Sequence, residues 1–407
     1  MPKILLIHQA FQSLQGAGGT RHYEFGKRVV ARGHEFVVVA SDLSYLDAKK
    51  LNQKTEQVDG IKILRPTIPS FIHKGFLWRI IAYIIYMFSS FWRAVREPKI
   101  DLVMGTSPSL FQALSAAWVS ILRRRPFLLE VRDLWPDFAI EMGVLKSKVL
   151  IFLAKRAESF IYWRAKHILV NSPAYVDYLV KRGIAREKIS LIPNGVDPGM
   201  FNGHSSPEKI REEFGLDDKF VVSYTGAIGP ANDIATIVRA ADLLKDRQDV
   251  HFLIVGGGKA LAEVQQMVSD KSLSNISIAG VRQKSEIPDI LAGSDACVAT
   301  LLNIPMFAMT YPNKIFDYMA ASKPIVLGID GVIRKVMEDG KGGIFVEPGN
   351  EHELADAVAW MAENREAAKQ MGVDGRNYVT QQFNREAHAR EFCELLESLT
   401  IGKKIKR

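Results

Sequence analysis

Short apolar runs that end on glycine loops and alternate with amphipathic segments constrain this chain more than any other feature. Lys3 to Ile7 reads as a buried strand and Arg21 to Arg32 has helical spacing. Gly33-His34 then turns the chain into a second strand, Glu35 to Ala40. Strand, crossover helix and strand in that order build a parallel pair. Doubly wound sheets made of such pairs bind ligands beyond the carboxyl ends of their strands. The glycines of the first loop, Gly16, Gly18 and Gly19, do not follow G-x-G-x-x-G, which argues against a dinucleotide. A second α/β pattern starts at Phe220 to Tyr224, turns at Gly226-Ala227-Ile228-Gly229, and continues through His251 to Val255 into Gly256-Gly257-Gly258. Between the two patterns, Pro193-Asn194-Gly195-Val196-Asp197 and the turn-rich residues to Pro207 have the composition of a linker. The expected architecture is α/β, with two Rossmann-like doubly wound domains over 1–195 and 196–382. A last helix and a basic tail fill 383–407, and 407 residues suit two domains.

The most informative stretch runs from Tyr311 to Val326. It reads as loop, helix, turn and strand. Pro312 suits a helix entrance, having a fixed φ and no amide proton, and Asn313 is a candidate N-cap. A helix N-terminus offers unpaired N–H groups and partial positive charge, a seat for a diphosphate. Lys314 adds a full charge in the first turn. One turn on, the Asp317 carboxylate is placed to accept from two adjacent sugar hydroxyls. The alternative at this point is a plain amphipathic helix with a solvated Lys–Asp pair.

Charge is divided unevenly. Residues 1–190 hold 29 Lys and Arg against 15 Asp and Glu, whereas residues 191–407 hold 24 against 30. The first half is therefore basic and the second mildly acidic, which implies different partners. No nucleic-acid module is present. The basic residues are interleaved with long apolar runs, so an anionic membrane is the expected partner of the first half. The apolar, aromatic segment from Phe76 to Trp92 supports this: its 17 residues would make a helix of about 25 Å, short of a hydrocarbon core of about 30 Å. Arg79, Tyr83, Tyr86, Ser90 and Arg93 fall on one thin polar stripe, which suits a helix lying in the interface as well as a core helix. Lys146 to Lys166 is a second, basic amphipathic segment. The amino terminus runs straight into a strand, and Cys297 and Cys393 are the only cysteines. A reducing compartment is expected, with the chain peripheral on the inner face of the cell membrane.

A second candidate site follows the strand Phe127 to Val131. Arg132-Asp133-Leu134-Trp135-Pro136-Asp137 sets a charged pair and an aromatic just past a strand end. Several chemistries are excluded by sequence. There is no Asp-x-Asp to hold a metal against a diphosphate, and there is no His-Glu-x-x-His, Walker A or Gly-x-Ser-x-Gly. A reaction on an anionic nucleotide ligand, without metal or cofactor, is what remains.

These motifs together resemble the retaining, nucleotide-sugar-dependent glycosyltransferases of the GT-B, group 1 family, in particular the membrane-associated branch that builds O-antigen, capsule and exopolysaccharide. The resemblance covers nearly the whole chain. It is carried by Val170-Asn171-Ser172-Pro173 through Asp197, by Arg132 to Pro136, and by Pro312-Asn313-Lys314 through Val326. The Gly18-Gly19-Thr20 loop and Arg32-Gly33-His34-Glu35 fit more loosely. The resemblance implies two domains facing a cleft and a final helix folding back on the first. It implies a nucleotide-sugar donor, UDP-linked, on the second domain and a polyprenyl diphosphate-linked acceptor on the first. Donor contacts would come from Gly226, Gly229, Gly256, Lys259, Arg282, Pro312, Asn313, Lys314 and Asp317. Acceptor contacts would come from Gly18, Gly19, Thr20 and Trp135, with Asp133 and Arg132 as the catalytic pair. Two positions depart from the family. Of its two acidic residues, Asp317 matches the second, but the first falls on Met309. The basic residue expected after the Gly226 loop is replaced by Asn232-Asp233. Lys259, Arg282 and Lys314 are the candidates to take over its charge. A nucleotide-sugar 2-epimerase of the same fold and a non-catalytic membrane-bound assembly protein remain as alternatives.

Overall fold

The computed structural model describes residues 1–14, 19–43, 50–51, 53–69, 76–201 and 206–401. The chain divides into two units. One is built from residues 1–13, 19–193 and 387 onward, the other from residues 194–386.

In the first unit the order is β1 (Lys3–Ile7), α1 (Arg21–Ala31), β2 (Glu35–Val39), β3 (Thr55–Val58), β4 (Ile61–Leu64) and α2 (Phe76–Val95). It continues with β5 (Leu102–Thr106), α3 (Leu110–Leu122), β6 (Phe127–Val131), α4 (Asp137–Glu141) and α5 (Lys148–Arg164). It ends with β7 (His167–Val170), α6 (Pro173–Lys181) and β8 (Ile189–Leu191). The strands form one sheet in the order β3-β4-β2-β1-β5-β6-β7-β8, parallel except for the β3–β4 pair. That hairpin turns at Asp59-Gly60, both at positive φ, the backbone a tight two-residue turn requires. Neither strand is anticipated by the sequence reading, although Asp-Gly between alternating apolar residues was the available signal.

The second unit runs α7 (Pro207–Phe214), β9 (Phe220–Thr225), α8 (Ile234–Leu243), β10 (Val250–Val255), α9 (Leu261–Asp270) and β11 (Ile276–Gly280). Then come α10 (Ile287–Ala292), β12 (Ala296–Thr300), α11 (Asn313–Ala320), β13 (Ile325–Gly328), α12 (Val332–Asp339) and β14 (Gly343–Phe345). The helices α13 (Glu351–Glu363) and α14 (Arg365–Gln382) complete it. Its sheet is wholly parallel, β11-β10-β9-β12-β13-β14. Strand order reverses between β1 and β5 in the first unit and between β9 and β12 in the second. Those are the switch points where such sheets take ligands.

The last helix, α15 (Arg385–Ile401), returns to the first unit as expected. Phe392 stacks on Phe25 of α1 at 4.8 Å, and Glu397 meets His34 at 2.9 Å and Arg32 at 3.4 Å.

On α2 the middle of the polar stripe points inward, toward the sheet and α3. Tyr86 and Ser90 are fully buried. Tyr86 Oη donates to the Val39 carbonyl at 2.7 Å, and Ser90 Oγ lies 2.9 Å from Ser115 Oγ on α3. A buried polar group needs a partner, so the few polar residues go where the sheet and α3 supply them. Several large apolar residues are left outside, with Phe88 50% and Trp92 55% exposed. Helix α3 packs against both α2 and α5. Helix α5 continues the apolar surface, with Phe152 63% and Trp163 73% exposed. Among the described residues no helix is long and apolar enough to cross a membrane.

Candidate functional site

In the second unit the loops after β9 and β10 cross each other at the switch point. Gly226 and Gly256 both hold φ near +150°, and a Cβ on Gly256 would lie 1.8 Å from the Gly226 carbonyl oxygen. Only glycine permits that approach. The crossing is tied by Gly226 N–H to the Val255 carbonyl at 2.9 Å and Ile228 N–H to the Gly257 carbonyl at 2.8 Å. Gly229 begins the short turn leading to Asn232, whose amide donates back to the Gly229 carbonyl at 3.0 Å.

Helix α11 is set against these loops by its own buried face. Ile315, Phe316, Tyr318 and Met319 pack with Leu327 and Ile333. Pro312 occupies the N-cap and the exposed Asn313 is the first helical residue, one place later than the capping role expected of it. The loop before the helix is anchored by Asn194, whose Nδ2 donates to the Tyr311 carbonyl at 2.8 Å.

Lys314 turns from this helix toward the glycine loop. Its Nζ lies 2.6 Å from Tyr224 Oη, 3.3 Å from Asn232 Oδ1 and 3.9 Å from the centre of the Tyr224 ring. None of these partners is acidic, and burial pushes the ammonium pKa down to about 7. The other sequence candidates are differently engaged. Arg282 is paired with Glu213 and Glu286, and Lys259 is exposed in the turn before α9. Asp317 receives Lys284 Nζ on Oδ2, while Oδ1 makes no hydrogen bond with any described residue. The structure thus brings Gly226, Gly229, Gly256 and Lys314 together and adds Tyr224, Asn232 and Lys284, which the sequence reading did not assign. Lys284 had no local signal, since its partner lies on another element.

In the first unit the switch point holds a buried charged cluster that sequence reasoning also passed over. Glu130, fully buried near the end of β6, accepts from Arg21 Nε at 2.8 Å, from Thr106 Oγ1 at 3.2 Å and from His22 Nε2. Burial alone would raise its pKa, but His22, Arg21 and Arg132 outweigh burial and hold the carboxyl well below its usual range. Burial lowers the His22 pKa, and because the carboxylate can only accept, His22 Nε2 is the donor. His8 at the end of β1 stacks edge-on with His22 at 4.6 Å. Arg21 also donates to the carbonyls of Ile192 and Pro193, each at 2.7 Å, which ties α1 to the end of the sheet. A glutamate inside the apolar run Phe127 to Val131 was the signal: a charge in a buried strand requires a partner.

Asp133 and Arg132 follow in the next loop, held by Ser107 Oγ, which accepts from both backbone amides at 3.1 and 2.8 Å. The Asp133 carboxylate has no hydrogen bond or ion pair with any described residue. Burial raises its pKa to about 6, with Arg132 pulling the other way. Tyr175 on α6, whose buried hydroxyl has no hydrogen-bond partner among the described residues, is close enough to feel that carboxylate. Trp135 is half-buried, its amide donating to the Asp133 carbonyl at 3.0 Å. Thr20 is buried at the start of α1 and Gly19 precedes it, whereas Gly18 lies outside the described residues. No cluster of three metal-ligating side chains occurs among the described residues.

Residues 219–364 match the family model described as Glycosyl transferases group 1, and residues 16–195 match that of the Glycosyl transferase 4-like domain. The chain is 27% identical over 165 residues to alpha-D-kanosaminyltransferase of Streptomyces kanamyceticus, covering 40% of this chain and 42% of that protein. It is 24% identical over 213 residues to GDP-mannose-dependent alpha-(1-6)-phosphatidylinositol monomannoside mannosyltransferase of Mycobacterium tuberculosis, covering 51% and 55%. The matched segments therefore span about half the length of these curated relatives. The fold is similar to the crystal structure of Anabaena Alr3699/HepE in complex with UDP and glucose, with a TM-score of 0.75 and 20% identity over 98% of this chain and 100% of that one. That likeness bears on the fold alone, two doubly wound domains of the GT-B kind. With one model matched on each unit, the chain belongs to the glycosyl transferases group 1 family.

Proposed function

We propose that this protein transfers a sugar, with retention and without a metal, from a UDP-linked donor to a lipid-linked saccharide acceptor in surface polysaccharide synthesis. The carrying observation is in the second unit, where a half-buried lysine with no acidic partner among the described residues stands beside two crossed glycine loops at a sheet switch point. Backbone amides, a helix N-terminus and a cation in one place are what a nucleoside diphosphate requires. The UDP in the Alr3699/HepE structure and the GDP-mannose in the mannosyltransferase name agree with a nucleotide-sugar donor. Asp317 Oδ1 would accept from a ribose hydroxyl, with Lys284 holding the other carboxylate oxygen.

In the reaction the bond between the anomeric carbon and the diphosphate oxygen breaks, and its electron pair stays on that oxygen. The acceptor hydroxyl bonds to the anomeric carbon on the same face and gives its proton to the departing diphosphate. Such a step depends on stabilising the leaving group and on positioning, rather than on a strong base. Asp133 on the first unit is the group to orient the acceptor hydroxyl. The unit's outward aromatic surface and excess of basic residues suit an acceptor anchored in an anionic bilayer, which would hold the protein on the inner face of the cell membrane.

The test is a panel of UDP- and GDP-sugars incubated with the purified protein and a membrane extract, with transfer to lipid as the readout. Transfer of one sugar in excess chelator is expected. Activity that disappears with chelation and returns with magnesium or manganese would overturn the metal-independent reading. Release of free epimerised sugar nucleotide without transfer would favour an epimerase.

A further inference from the structure

A cavity of about 390 Å³ opens in the first unit between the last turn of α5 and the turn that joins α6 to β8. Both segments lead into strand beginnings, so the cavity lies at the amino ends of β7 and β8, the opposite end of the sheet from Arg132 and Asp133. Its size falls in the range of about 300–1,000 Å³ usual for small-molecule sites. Helix α5 contributes Ser159, Tyr162 and Trp163, and the far side contributes Arg182, Ala185 and Lys188. Lys188 bridges the two sides, its Nζ donating to the carbonyls of Tyr162 at 2.7 Å and Trp163 at 3.4 Å.

The two cations of the lining differ in their partners. Arg182 is neutralised by Glu158 at 2.7 Å and Asp137 at 3.7 Å, and its guanidinium lies 5.8 Å from the centre of the Tyr162 ring. Lys188 meets main-chain carbonyls only and pairs with no carboxylate among the described residues. Around the cavity Arg156, Lys166, Lys181 and Arg186 are exposed, against the exposed Asp177 and Glu187. The surroundings are therefore positive, with one inner ammonium left to answer an anion.

An apolar stripe leads along α5 to this place. Val149, Phe152, Arg156, Phe160 and Trp163 follow one another at three or four residues and share a face of the helix. Val149, Phe152 and Trp163 are exposed, and the Phe160 ring lies 6.0 Å from that of Trp163. A tryptophan ending an apolar stripe, with long basic side chains beside it, suits the headgroup level of a bilayer. A free anion has no use for the stripe, so the charge and the stripe together select a lipid.

We propose that this cavity binds the glycerophosphate headgroup of one anionic phospholipid, with Lys188 as the phosphate contact and Trp163 as the interfacial anchor. The lipid site presupposes the bilayer contact proposed above and adds to it a built, headgroup-selective pocket, separate from the donor and acceptor subsites. With the stripe lying along the bilayer, the lipid holds the end of α5 remote from Asp133.

The experiment titrates monomeric dihexanoyl phosphatidylglycerol into the full chain by calorimetry, with dihexanoyl phosphatidylcholine and inorganic phosphate as comparisons. Wild type should take up phosphatidylglycerol saturably, and the other two should bind at least about tenfold more weakly. Lys188→Gln should weaken phosphatidylglycerol by about tenfold or more, the scale of a charged hydrogen bond. Lys181→Gln removes an exposed charge outside the lining and should stay within about twofold. Because Lys188 also holds the end of α5, thermal melting checks its variant. Ala185→Phe fills the cavity from an exposed turn, leaves every cation in place and should abolish binding. Undiminished binding in Ala185→Phe would overturn the site, as would equal losses in Lys181→Gln and Lys188→Gln. Inorganic phosphate binding as tightly as the lipid would make this a free-anion site and overturn the lipid assignment. Wild type that floats with phosphatidylglycerol vesicles but takes up no soluble lipid would sink the pocket alone, whereas wild type that does not float would sink the bilayer reading itself.

Discussion

The phenolic oxygen of Tyr318 accepts the main-chain N–H of Thr225 at 2.7 Å and the Thr225 hydroxyl at 3.2 Å, and it donates its own hydrogen to the Thr225 carbonyl at 3.2 Å. Thr225 is the last residue of β9 and Gly226 follows it. One buried hydroxyl therefore fixes the donor helix against the glycine loop. Tyr318→Phe leaves a buried amide unpaired, which costs about 1–3 kcal/mol. A lower urea midpoint with an unchanged m-value is expected, together with a severalfold weaker affinity for nucleoside diphosphate. Unchanged stability would mean that water or a side-chain shift satisfies the amide.

Asp317 is the second donor contact to test. Its Oδ2 is taken by Lys284, so ribose recognition falls to Oδ1. Asp317→Ala should weaken UDP by about 1.5–3 kcal/mol, the range of a charged hydrogen bond. The telling comparison uses 2′-deoxyUDP. Wild type should prefer the ribose form, and the variant should lose that preference. A variant that still discriminates against the deoxy sugar would move the ribose site elsewhere.

What was legible in the sequence depended on how local its cause was. Gly226 and Gly256 announce themselves because strand ends followed by glycine mark close backbone approaches. Lys314 follows Pro312 closely enough to be placed in a first turn. The Glu130 cluster was not legible in the same way: its Arg21 partner is 109 residues distant, and only the fold shows which arginine answers the buried carboxylate. Lys284 and Asp317 are likewise brought together across 33 residues by two different helical segments. On α2 the periodicity identified a shared face for Tyr86 and Ser90 but could not give its direction. The direction was set by Val39 and Ser115, groups on other elements that had hydrogen bonds to offer.

Asp133 carries a pH prediction. Its pKa is near 6 in the folded protein and near 3.8 in the unfolded chain. Between these values the folded state binds more protons, so this group's contribution to stability is full below about pH 4 and is lost as pH rises through 6. Asp133→Asn should therefore stabilise the protein at pH 7, by about 1–3 kcal/mol, and flatten the stability profile between pH 4 and 6. The same variant should lower kcat by about a hundredfold if the carboxylate orients the acceptor. A variant that is less stable at pH 7 would show that the carboxylate has partners in solution that offset its burial.

The outward surface of the first unit gives the last prediction. Helix α2 buries Tyr86 and Ser90 and exposes Phe88 and Trp92, while α5, which also packs on α3, exposes Phe152 and Leu153. Arg123, Arg124 and Arg125 follow the end of α3, and Lys146 and Lys148 flank the start of α5. Basic residues near an anionic surface contribute about 1 kcal/mol each, and inserted aromatic area adds to that. Wild type should float with vesicles containing phosphatidylglycerol and less well as salt is raised. Phe88→Glu with Trp92→Glu, or Phe152→Glu with Leu153→Glu, should each weaken flotation, and the four changes together should abolish it. All these side chains are at least half-exposed, so the fold should survive, which circular dichroism checks. UDP affinity should stay at the wild-type value because the donor residues lie in the other unit. Transfer to the lipid-linked acceptor should fall, while transfer to a detergent-dispersed short-chain acceptor should not. If the fourfold variant is folded and still floats, attachment does not use this surface. If it no longer floats but transfers to membrane-bound acceptor at full rate, the acceptor does not reach the protein from the bilayer.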